Sequence, residues 1–494
     1  MNNPIITDEK TLVRMPPSPT GQAHLGTART MLINYIFTKS KGGNFLYRSE
    51  DTDRERSTRE NERSIIDSLT WLQMPVMDEC TLFIRQTECT DVYAKYMKEL
   101  WDAGHIFACF TSKEEVENQK EEATKNHTNF VFWSKHRELT REQQETKIAA
   151  GESYVFRLKC PKNKILTWTD GIRGDISVNS DTLGDFAVAR SDQSMLYVLA
   201  NVIDDLTQNI THVIRGEDHV ANTPKQLLCY DILNATPPHI AHLPNIMDST
   251  GKKLSKRRAP EGVAVMVDDF RTMGFVPEGV INGILFLGWN PKTTQEIFSL
   301  QEVIDVYDMS QNRRANPQYN FDRMLWFNHE WLKKLSDKDR LVRYNQWLLW
   351  TGEQAVDDTT RNQRALKIAA EKHKIFNTMA EDLSYTMSDS VAVTKELLLS
   401  AGKETAVETA QKVLSGVGEV LQNWENEDIA ADEFKQKIIE NIKSIEMKTR
   451  DYMPIFRVAM SGKTPSTGPI DVAYIIGKTE SLRRIQGAID ALTA

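Results

Sequence analysis

The sequence predicts a multidomain protein in which an α/β domain with a parallel sheet is split by an inserted α+β domain and followed by a mostly α-helical region. Three observations support this prediction. A strand, loop, helix and strand follow one another near the start, the stretch 101–200 mixes helical and strand-like runs, and the chain after about Asn328 is rich in Lys, Glu, Ala and Leu. With 494 residues, the chain has room for about three to five domains.

The α/β domain is predicted from the N-terminal pattern. The apolar run Thr11–Val13 stops at a cluster of prolines, as a strand that ends in a rigid loop would. Thr27–Ser40 repeats apolar residues at helical spacing, Asn44–Arg48 indicates the next strand, and Glu60–Leu72 a second helix. Strand, helix and strand in this order form a βαβ unit, which favours a parallel sheet.

The predicted inserted domain mixes helical and strand-like sequence patterns. Lys113–Lys125 is a charged helical stretch, whereas Tyr154–Leu158 and Ile165–Thr169 are strand-like. A buried-strand pattern resumes at Thr211–Arg215, and Pro224–Leu233 indicates a helix, so we expect the insertion to split the α/β domain.

The C-terminal region has few strand signals. Helical periodicity is clear in Ala406–Trp424 and in Phe434–Ile445, which predicts a separate helical region.

Composition and charge narrow the class of protein. A net charge of −8 excludes a broadly basic protein but not a nucleic-acid partner, because phosphate binding depends on where Lys and Arg are placed. The five cysteines form no C-x-x-C pair, which favours a reducing compartment. The N-terminal segment lacks the apolar core of a signal peptide, and the longest apolar run, near Val280–Trp289, is too short to span a bilayer. We therefore expect a cytoplasmic protein with no membrane partner.

The first candidate site is the segment Pro17–Thr27, between the first strand and the first helix. Ligands of open α/β sheets bind at the carboxyl ends of strands, facing helix N-termini. Gly21 and Gly26 allow close backbone approach, and His24 supplies a donor for a phosphate oxygen. By itself the segment is equally well interpreted as a proline-rich turn with a capping histidine.

The second candidate site is the basic loop Gly251–Arg258, which has five cations within seven residues. Such a run is usually a solvated loop. Its functional interpretation is a clamp on a polyphosphate, in which Lys253 and Lys256 offset charge that develops at an α-phosphate.

Together these two segments resemble the paired signatures of class I aminoacyl-tRNA synthetases. His24–Thr27 is similar to the "HIGH" element, and Lys253–Arg257 to the "KMSKS" element. Seven further segments resemble the bacterial-type glutamyl-tRNA synthetases and extend the similarity over nearly the whole chain: Arg48–Ser57, Ile210–His219, Ala241–Pro244, Pro277–Trp289, Glu296–Leu300, Ala459–Gly462 and Gly477–Arg484.

The resemblance implies a domain plan. It comprises a Rossmann-like catalytic domain in two halves (10–100 and 201–262), an inserted acceptor-stem-binding domain (101–200), a stem-contact region (263–330) and a helical anticodon-binding region (331–494), with two subdomains in the last.

The resemblance also implies site residues. Three of them would be catalytic: His24, Lys253 and Lys256. Eight would bind ATP: Thr20, Gly21, His24, Gly26, Asp218, Met247, Lys253 and Lys256. Glutamate needs cations for two carboxylates, which arginine binds bidentately, and an anion for its ammonium group. Six residues would form its pocket: Arg14 and Arg215 for the carboxylates, Glu50 for the ammonium group, and Ser18, Tyr197 and Asn201. The alternative for Arg215 is a structural ion pair with Glu217 or Asp218.

The sequence departs from the family in four places. Many relatives bind zinc in the insertion, but here only Cys109 and the nearby His136 remain, too few for a tetrahedral site. We expect no structural zinc and a small, buried Cys109. The stretches Ser191–Tyr197 and Ile203–Leu206 are also atypical and border the expected glutamate pocket, which leaves fine substrate or tRNA preference open. Arg258–Glu261 is atypical too, which leaves the dynamics of the basic loop open.

The expected reaction uses ATP with Mg²⁺ and ligates glutamate to tRNA(Glu) through glutamyl-adenylate. The resemblance implies that bound tRNA is needed before activation, that tRNA(Gln) is a further candidate substrate, and that the chain is a monomer. Three alternatives remain: a glutaminyl-tRNA synthetase, a truncated relative that modifies a tRNA base, and a non-catalytic tRNA-binding protein. Arg215, the retained C-terminal region and the retained site residues, respectively, argue against them.

Overall fold

The structure, a computed structural model, describes residues 11–53, 55–401 and 405–493. The N-terminal residues 1–10, which bear on the signal-peptide expectation, lie outside the described part. The chain forms two compact units, one of residues up to Asp268 together with Ile281–Phe321, the other of Asp269–Val280 and the residues from Asp322 onward. The described part contains no helix that is long and apolar enough to cross a membrane.

All strands of the described residues lie in the first unit. They are β1 (Leu12–Met15), β2 (Asn44–Ser49), β3 (Phe83–Arg85), β4 (Ile106–Cys109), β5 (Val155–Leu158), β6 (Ile165–Asp170), β7 (Gly174–Asn179), β8 (Ala187–Arg190), β9 (His212–Gly216) and β10 (His239–Leu243).

The central sheet has five parallel strands in the order β10-β9-β1-β2-β3. The chain adds strands to one side of β1 and later to the other, so the order reverses between β1 and β9, where ligands of such sheets bind. The predicted parallel α/β domain is confirmed. Strand β1 runs to Met15, two residues beyond the expected Val13, because Arg14 is buried in the sheet rather than solvated.

Helices alternate with the strands in the sequence and continue after the last of them. Those that begin before residue 321 are α1 (Leu25–Ser40), α2 (Arg59–Trp71), α3 (Val76–Glu79), α4 (Thr90–Asp102), α5 (Lys113–Lys125), α6 (Arg141–Ala149), α7 (Tyr197–Thr207), α8 (Thr223–Ile232), α9 (Val267–Met273), α10 (Pro277–Leu285) and α11 (Leu300–Val306). The helices expected at Thr27–Ser40, Glu60–Leu72, Lys113–Lys125 and Pro224–Leu233 are all present within one or two residues of their expected bounds.

Two small antiparallel sheets lie between the halves of the central sheet in the sequence. One has the order β4-β5-β8, and the other is the hairpin β6-β7. Phe156 and Leu158 of β5 alternate with more exposed residues and belong to a buried apolar cluster. The strands expected at Tyr154–Leu158 and Ile165–Thr169 are confirmed, and so is the α+β character of the stretch.

The described residues of the second unit form helices joined by loops and contain no strand. Its helices from residue 321 onward are α12 (Phe321–Lys334), α13 (Asp337–Thr351), α14 (Thr360–Lys372), α15 (Ala380–Thr386), α16 (Lys395–Ser400), α17 (Val407–Gln422), α18 (Ala431–Ser444), α19 (Thr449–Ser461) and α20 (Pro469–Thr493). Helices α17 and α18 confirm the two predicted periodic stretches. Residues 269–280 belong to this unit through buried contacts, such as the backbone N–H of Val276 donating to Asn328 Oδ1 at 2.8 Å.

Candidate active site

A cleft of about 670 Å³ lies at the carboxyl ends of β1 and β9, beside the N-terminus of α1. Most of the sequence-predicted site residues line it: Arg14, Ser18, Thr20, Gly21, His24, Gly26, Glu50, Tyr197, Arg215, Asp218, Lys253 and Lys256. Met247 and Asn201 do not line it, although Ile246 does. Residues that are distant in sequence therefore meet at the switch point of the sheet.

His24 is the N-cap of α1. Its Nδ1 accepts a hydrogen bond from the backbone N–H of Gly26 at 3.1 Å. A neutral imidazole that accepts at Nδ1 carries its proton on Nε2, so the ring offers a donor there. The backbone N–H of Leu25 donates to Val265 O at 2.9 Å, which ties the start of the helix to the segment after the basic loop. A helix N-terminus with this donor suits a phosphate group.

Two buried arginines and two buried acids lie together beside the cleft. Arg48 donates through Nη1 to Asp205 Oδ1 at 2.8 Å, and Arg14 donates through Nε to the same oxygen at 3.3 Å. Arg48 is fully buried, and its Nη2 also lies 3.4 Å from Glu50 Oε1. Arg14 lines the cleft, and its buried Nη1 has no hydrogen-bond partner among the described residues. That nitrogen is available to a carboxylate ligand.

Glu50 is a buried acid that lines the cleft. Burial raises the pKa of its carboxyl group, and the nearby guanidinium groups of Arg48 and Arg14 oppose this effect. A cationic ligand would stabilise the carboxylate form further, so this position favours an ammonium group. Asn201 lies deeper, where its Oδ1 accepts from Arg48 Nη2 at 3.0 Å.

Arg215 differs from Arg48 because its side-chain partners are neutral. Its Nε donates to His242 Nε2 at 3.1 Å, and its Nη2 donates to Thr223 Oγ1 at 2.9 Å. Burial lowers the pKa of Arg215, as expected for a cation removed from water. The alternative ion pair with Glu217 or Asp218 does not occur in the structure.

Those two acids have other partners. Glu217 pairs with Arg173, and Asp218 pairs with Lys253. Because Arg215 forms no ion pair with any described residue, the cleft contains a buried cation with no direct counter-ion. Such an arrangement favours binding of an anion.

Tyr197 and His219 extend this wall of the cleft. The Tyr197 hydroxyl lies 2.8 Å from His219 Nδ1. Burial raises the pKa of Tyr197 to about 12, and burial together with Arg215 lowers the pKa of His219 to about 4. Both groups are therefore neutral near pH 7. They can orient a ligand by hydrogen bonds without changing the charge of the cleft.

The basic loop contributes two lysines to the lining of the cleft. Lys253 pairs with Asp218, and Asn245 Nδ2 also donates to Asp218 Oδ1 at 3.0 Å. Lys256 lines the cleft and is exposed. Met247 pairs with Lys253 through an isolated backbone bridge, so it supports the loop from behind. The two lysines thus lie on the same cleft as His24.

The stretch around Cys109, where the resemblance led us to look for a zinc site, brings few metal ligands together. Cys109 is fully buried, as expected, with Sγ 3.3 Å from Ser134 Oγ. His136 Nδ1 lies 3.4 Å from Thr111 Oγ1. The described residues include no group of three or more His, Cys, Asp or Glu side chains placed to hold a metal ion.

Several residues of the site were not expected from the sequence. Arg48 and Asp205 form the ion pairs beside Arg14, and His219 lines the cleft. Asp170 and His242 stand behind Arg215. His242 lies in a segment that was already matched to the family, which was the available signal. Asp170 lies in the insertion and gave none.

Two family models match the chain. Residues 10–326 match the model described as "tRNA synthetases class I (E and Q), catalytic domain", and residues 324–489 match the model described as "Anticodon binding domain".

Proteins named glutamate–tRNA ligase are similar over nearly the whole chain. The protein from Hydrogenobaculum sp. is 38% identical over 475 residues, which cover 96% of this chain and 98% of that protein. The protein from Aquifex aeolicus is 34% identical over 488 residues, with 98% and 100% covered. The crystal structure of a glutamate tRNA ligase from Elizabethkingia meningosepticum in complex with its amino acid superposes with a TM-score of 0.82 at 28% identity, covering 98% of this chain and 100% of that one.

Proposed function

The chain belongs to the glutamate–tRNA ligases, a family of class I tRNA synthetases, and on this premise we propose how its cleft ligates L-glutamate to the 3′ end of tRNA(Glu). The glutamate α-carboxylate attacks the α-phosphorus of ATP, which gives glutamyl-adenylate and pyrophosphate. A terminal ribose hydroxyl of the tRNA then takes the acyl group, and AMP leaves.

Glutamate lies across the switch point of the sheet. Arg215 and the Nη1 group of Arg14 bind the carboxylates, and Glu50 binds the ammonium group. Ser18 and Tyr197 complete the walls, and Asn201 supports them through Arg48. The supporting observation is that the cleft lining contains two buried arginines, of which Arg14 has an Nη1 group without a partner among the described residues, and one buried acid, Glu50.

ATP lies against the N-terminus of α1 and the basic loop. Thr20, Gly21 and Gly26 allow the phosphates to approach the backbone, and His24 donates from Nε2. Lys253 and Lys256 offset the charge that develops on the α-phosphate as pyrophosphate leaves. Asp218 and Met247 hold the loop beside the nucleotide. Catalysis by this chain therefore consists of positioning and charge stabilisation.

Mg²⁺ accompanies ATP in this proposal. Because the described residues offer no cluster of three metal-ligating side chains, phosphate oxygens and water would supply most of its ligands. The ion neutralises phosphate charge when bound. The chain's own contribution remains the two lysines and the helix N-terminus.

The remaining parts of the chain contact tRNA. We assign acceptor-stem binding to 101–200, stem contact to 263–330 and anticodon binding to 331–494, with the catalytic domain formed by 10–100 and 201–262. The match of residues 324–489 to an anticodon-binding model supports the last assignment. We further propose a cytoplasmic monomer that needs bound tRNA for activation. Whether tRNA(Gln) is also charged depends on the anticodon-binding region.

The observation that carries the proposal is the buried Arg215 with neutral partners, since it favours the glutamate carboxylate over the glutamine amide. The test is aminoacylation by the purified chain with ATP, tRNA(Glu) or tRNA(Gln), and labelled glutamate or glutamine. We expect glutamyl-tRNA(Glu) and negligible glutaminyl-tRNA. Comparable use of both amino acids would contradict the proposal.

A further inference from the structure

Behind Arg215 lies a buried acid–imidazole pair. Asp170, at the end of β6, and His242, in β10, have side chains fully removed from solvent, and Asp170 Oδ2 lies 2.5 Å from His242 Nδ1. The parallel register of β9 and β10 places His242 beside Arg215. His242 therefore links Asp170 of the inserted hairpin to Arg215.

The surroundings of Asp170, His242 and Arg215 determine which atom donates and which accepts in each of their hydrogen bonds. Asp170 Oδ1 accepts the backbone N–H groups of Ile172, Arg173 and His242, at 3.0, 2.9 and 3.2 Å. These donors favour the ionised acid, so His242 Nδ1 must carry the proton that Oδ2 accepts. His242 Nε2 is then an acceptor, and the Nε–H of Arg215 donates to it at 3.1 Å.

The same geometry orients the guanidinium group. The Nε of Arg215 is bonded to His242 and its Nη2 to Thr223, so two positions of the planar fork are fixed. A carboxylate in the place of His242 would hold the arginine equally well. It would also neutralise the cation and compete with glutamate. A neutral imidazole holds the arginine and leaves its charge for the ligand.

We propose that Asp170 and His242 are positioning residues for glutamate recognition: Asp170 fixes the tautomer of His242, and His242 holds Arg215 with its charge uncompensated. This inference rests on the proposed role of Arg215 in binding glutamate. It gives the inserted hairpin a part in amino-acid selection.

The decisive variant is Asp170→Asn. Asparagine has nearly the same volume but only one acceptor oxygen, so it cannot serve both the backbone donors and His242 Nδ1–H. If its amide donates to Nδ1, the proton moves to Nε2 and opposes the N–H of Arg215. Asp175→Asn is the matched control, since Asp175 lies on the same hairpin, is exposed, and accepts only from Thr169 Oγ1 at 2.7 Å among the described side chains.

We expect Asp170→Asn to raise the KM for glutamate about tenfold, the effect of losing roughly one hydrogen bond to a charged group. The KM for ATP should not change, and Asp175→Asn should behave as wild type. His242→Gln keeps one donor and one acceptor and should retain glutamate affinity, whereas His242→Leu should lose it. If Asp170→Asn does not fold by circular dichroism, the comparison of these two His242 variants decides the question.

The variant Arg215→Gln distinguishes the positioning roles of Asp170 and His242 from the role of Arg215 itself. In that background Asp170→Asn should add no further loss, because the group that it positions is gone. If the losses are additive, or if the KM for glutamate is unchanged in both Asp170→Asn and His242→Leu, the proposed positioning roles of Asp170 and His242 are wrong. If Arg215→Gln alone leaves the glutamate KM unchanged, the proposed function of Arg215 fails instead.

Discussion

Replacing Arg215 with glutamine removes one of the two cations of the proposed glutamate pocket while keeping a polar side chain. Hydrogen bonds to charged groups contribute about 1.5–3 kcal/mol each. If glutamine restores one of two such bonds in weaker, neutral form, the loss is about 3 kcal/mol, or roughly 150-fold in kcat/KM for glutamate. The KM for ATP should stay the same, because the proposal assigns Arg215 to glutamate and not to ATP.

The structure also bears on the stability of this variant. Arg215 has no direct acidic partner among the described residues, and Asp170 stays bonded to His242 and to backbone N–H groups. No buried anion is left unpaired, so the melting temperature should not fall.

The assay is steady-state aminoacylation at varied glutamate and glutamine, with circular dichroism to check folding. Arg190→Gln, at an exposed arginine outside the cleft, is the matched control. The ratio of kcat/KM for glutamate to that for glutamine should fall in Arg215→Gln and not in Arg190→Gln. A folded Arg215→Gln enzyme with wild-type kcat/KM for glutamate would refute the reasoning.

Three further outcomes are expected. Lys256→Ala should lose most of kcat while the KM for glutamate is retained, because its charge is needed chiefly in the transition state; an unchanged kcat would contradict the role of the basic loop. Elemental analysis of protein purified without chelators should find well under one zinc per chain, since Cys109 is beside Ser134 rather than further ligands; stoichiometric zinc would show that the insertion was misinterpreted. Burial lowers the pKa of His212 from 6.5 to about 4, so the folded state binds fewer protons than the unfolded state between these values. The associated stability is complete above pH 6.5 and is lost as the pH falls towards 4. Between pH 7 and pH 5 the free energy of unfolding of the wild type, measured with urea, should fall by about 2 kcal/mol more than that of His212→Asn. Equal losses would contradict the lowered pKa of His212.

Local patterns in the sequence were sufficient to predict most of the helices. The helix Lys113–Lys125 has its expected bounds because its signals are local: Ser112 caps it, and its acids lie in the first turn. Strand β1 was predicted too short because arginine is rarely a core residue. Asp205 makes burial of Arg14 tolerable, and that ion pair joins residues 191 positions apart.

The site was predictable where its chemistry lies in contiguous motifs. His24 and the lysines of the basic loop stand in such motifs, and the structure brings them to one cleft. The hydrogen-bond and ion-pair partners of the buried arginines were not predictable. Whether an arginine is neutralised, as Arg48 is, or held by a neutral group, as Arg215 is, depends on strand register and on the hairpin that carries Asp170.

The interleaved boundary between the two units has a practical consequence for dissecting this protein. The chain passes from one unit to the other at residue 268, returns at 280, and passes again at 321. A catalytic fragment cut near residue 326 would keep Asp269–Val280 yet discard Asn328 and Phe376. Val276 would lose its bond to Asn328, and Gly274, packed closely against Phe376, would lose that neighbour. Such a fragment would expose the buried Phe275 and Val276 and would tend to aggregate, so failed expression would not show that the catalytic half cannot fold.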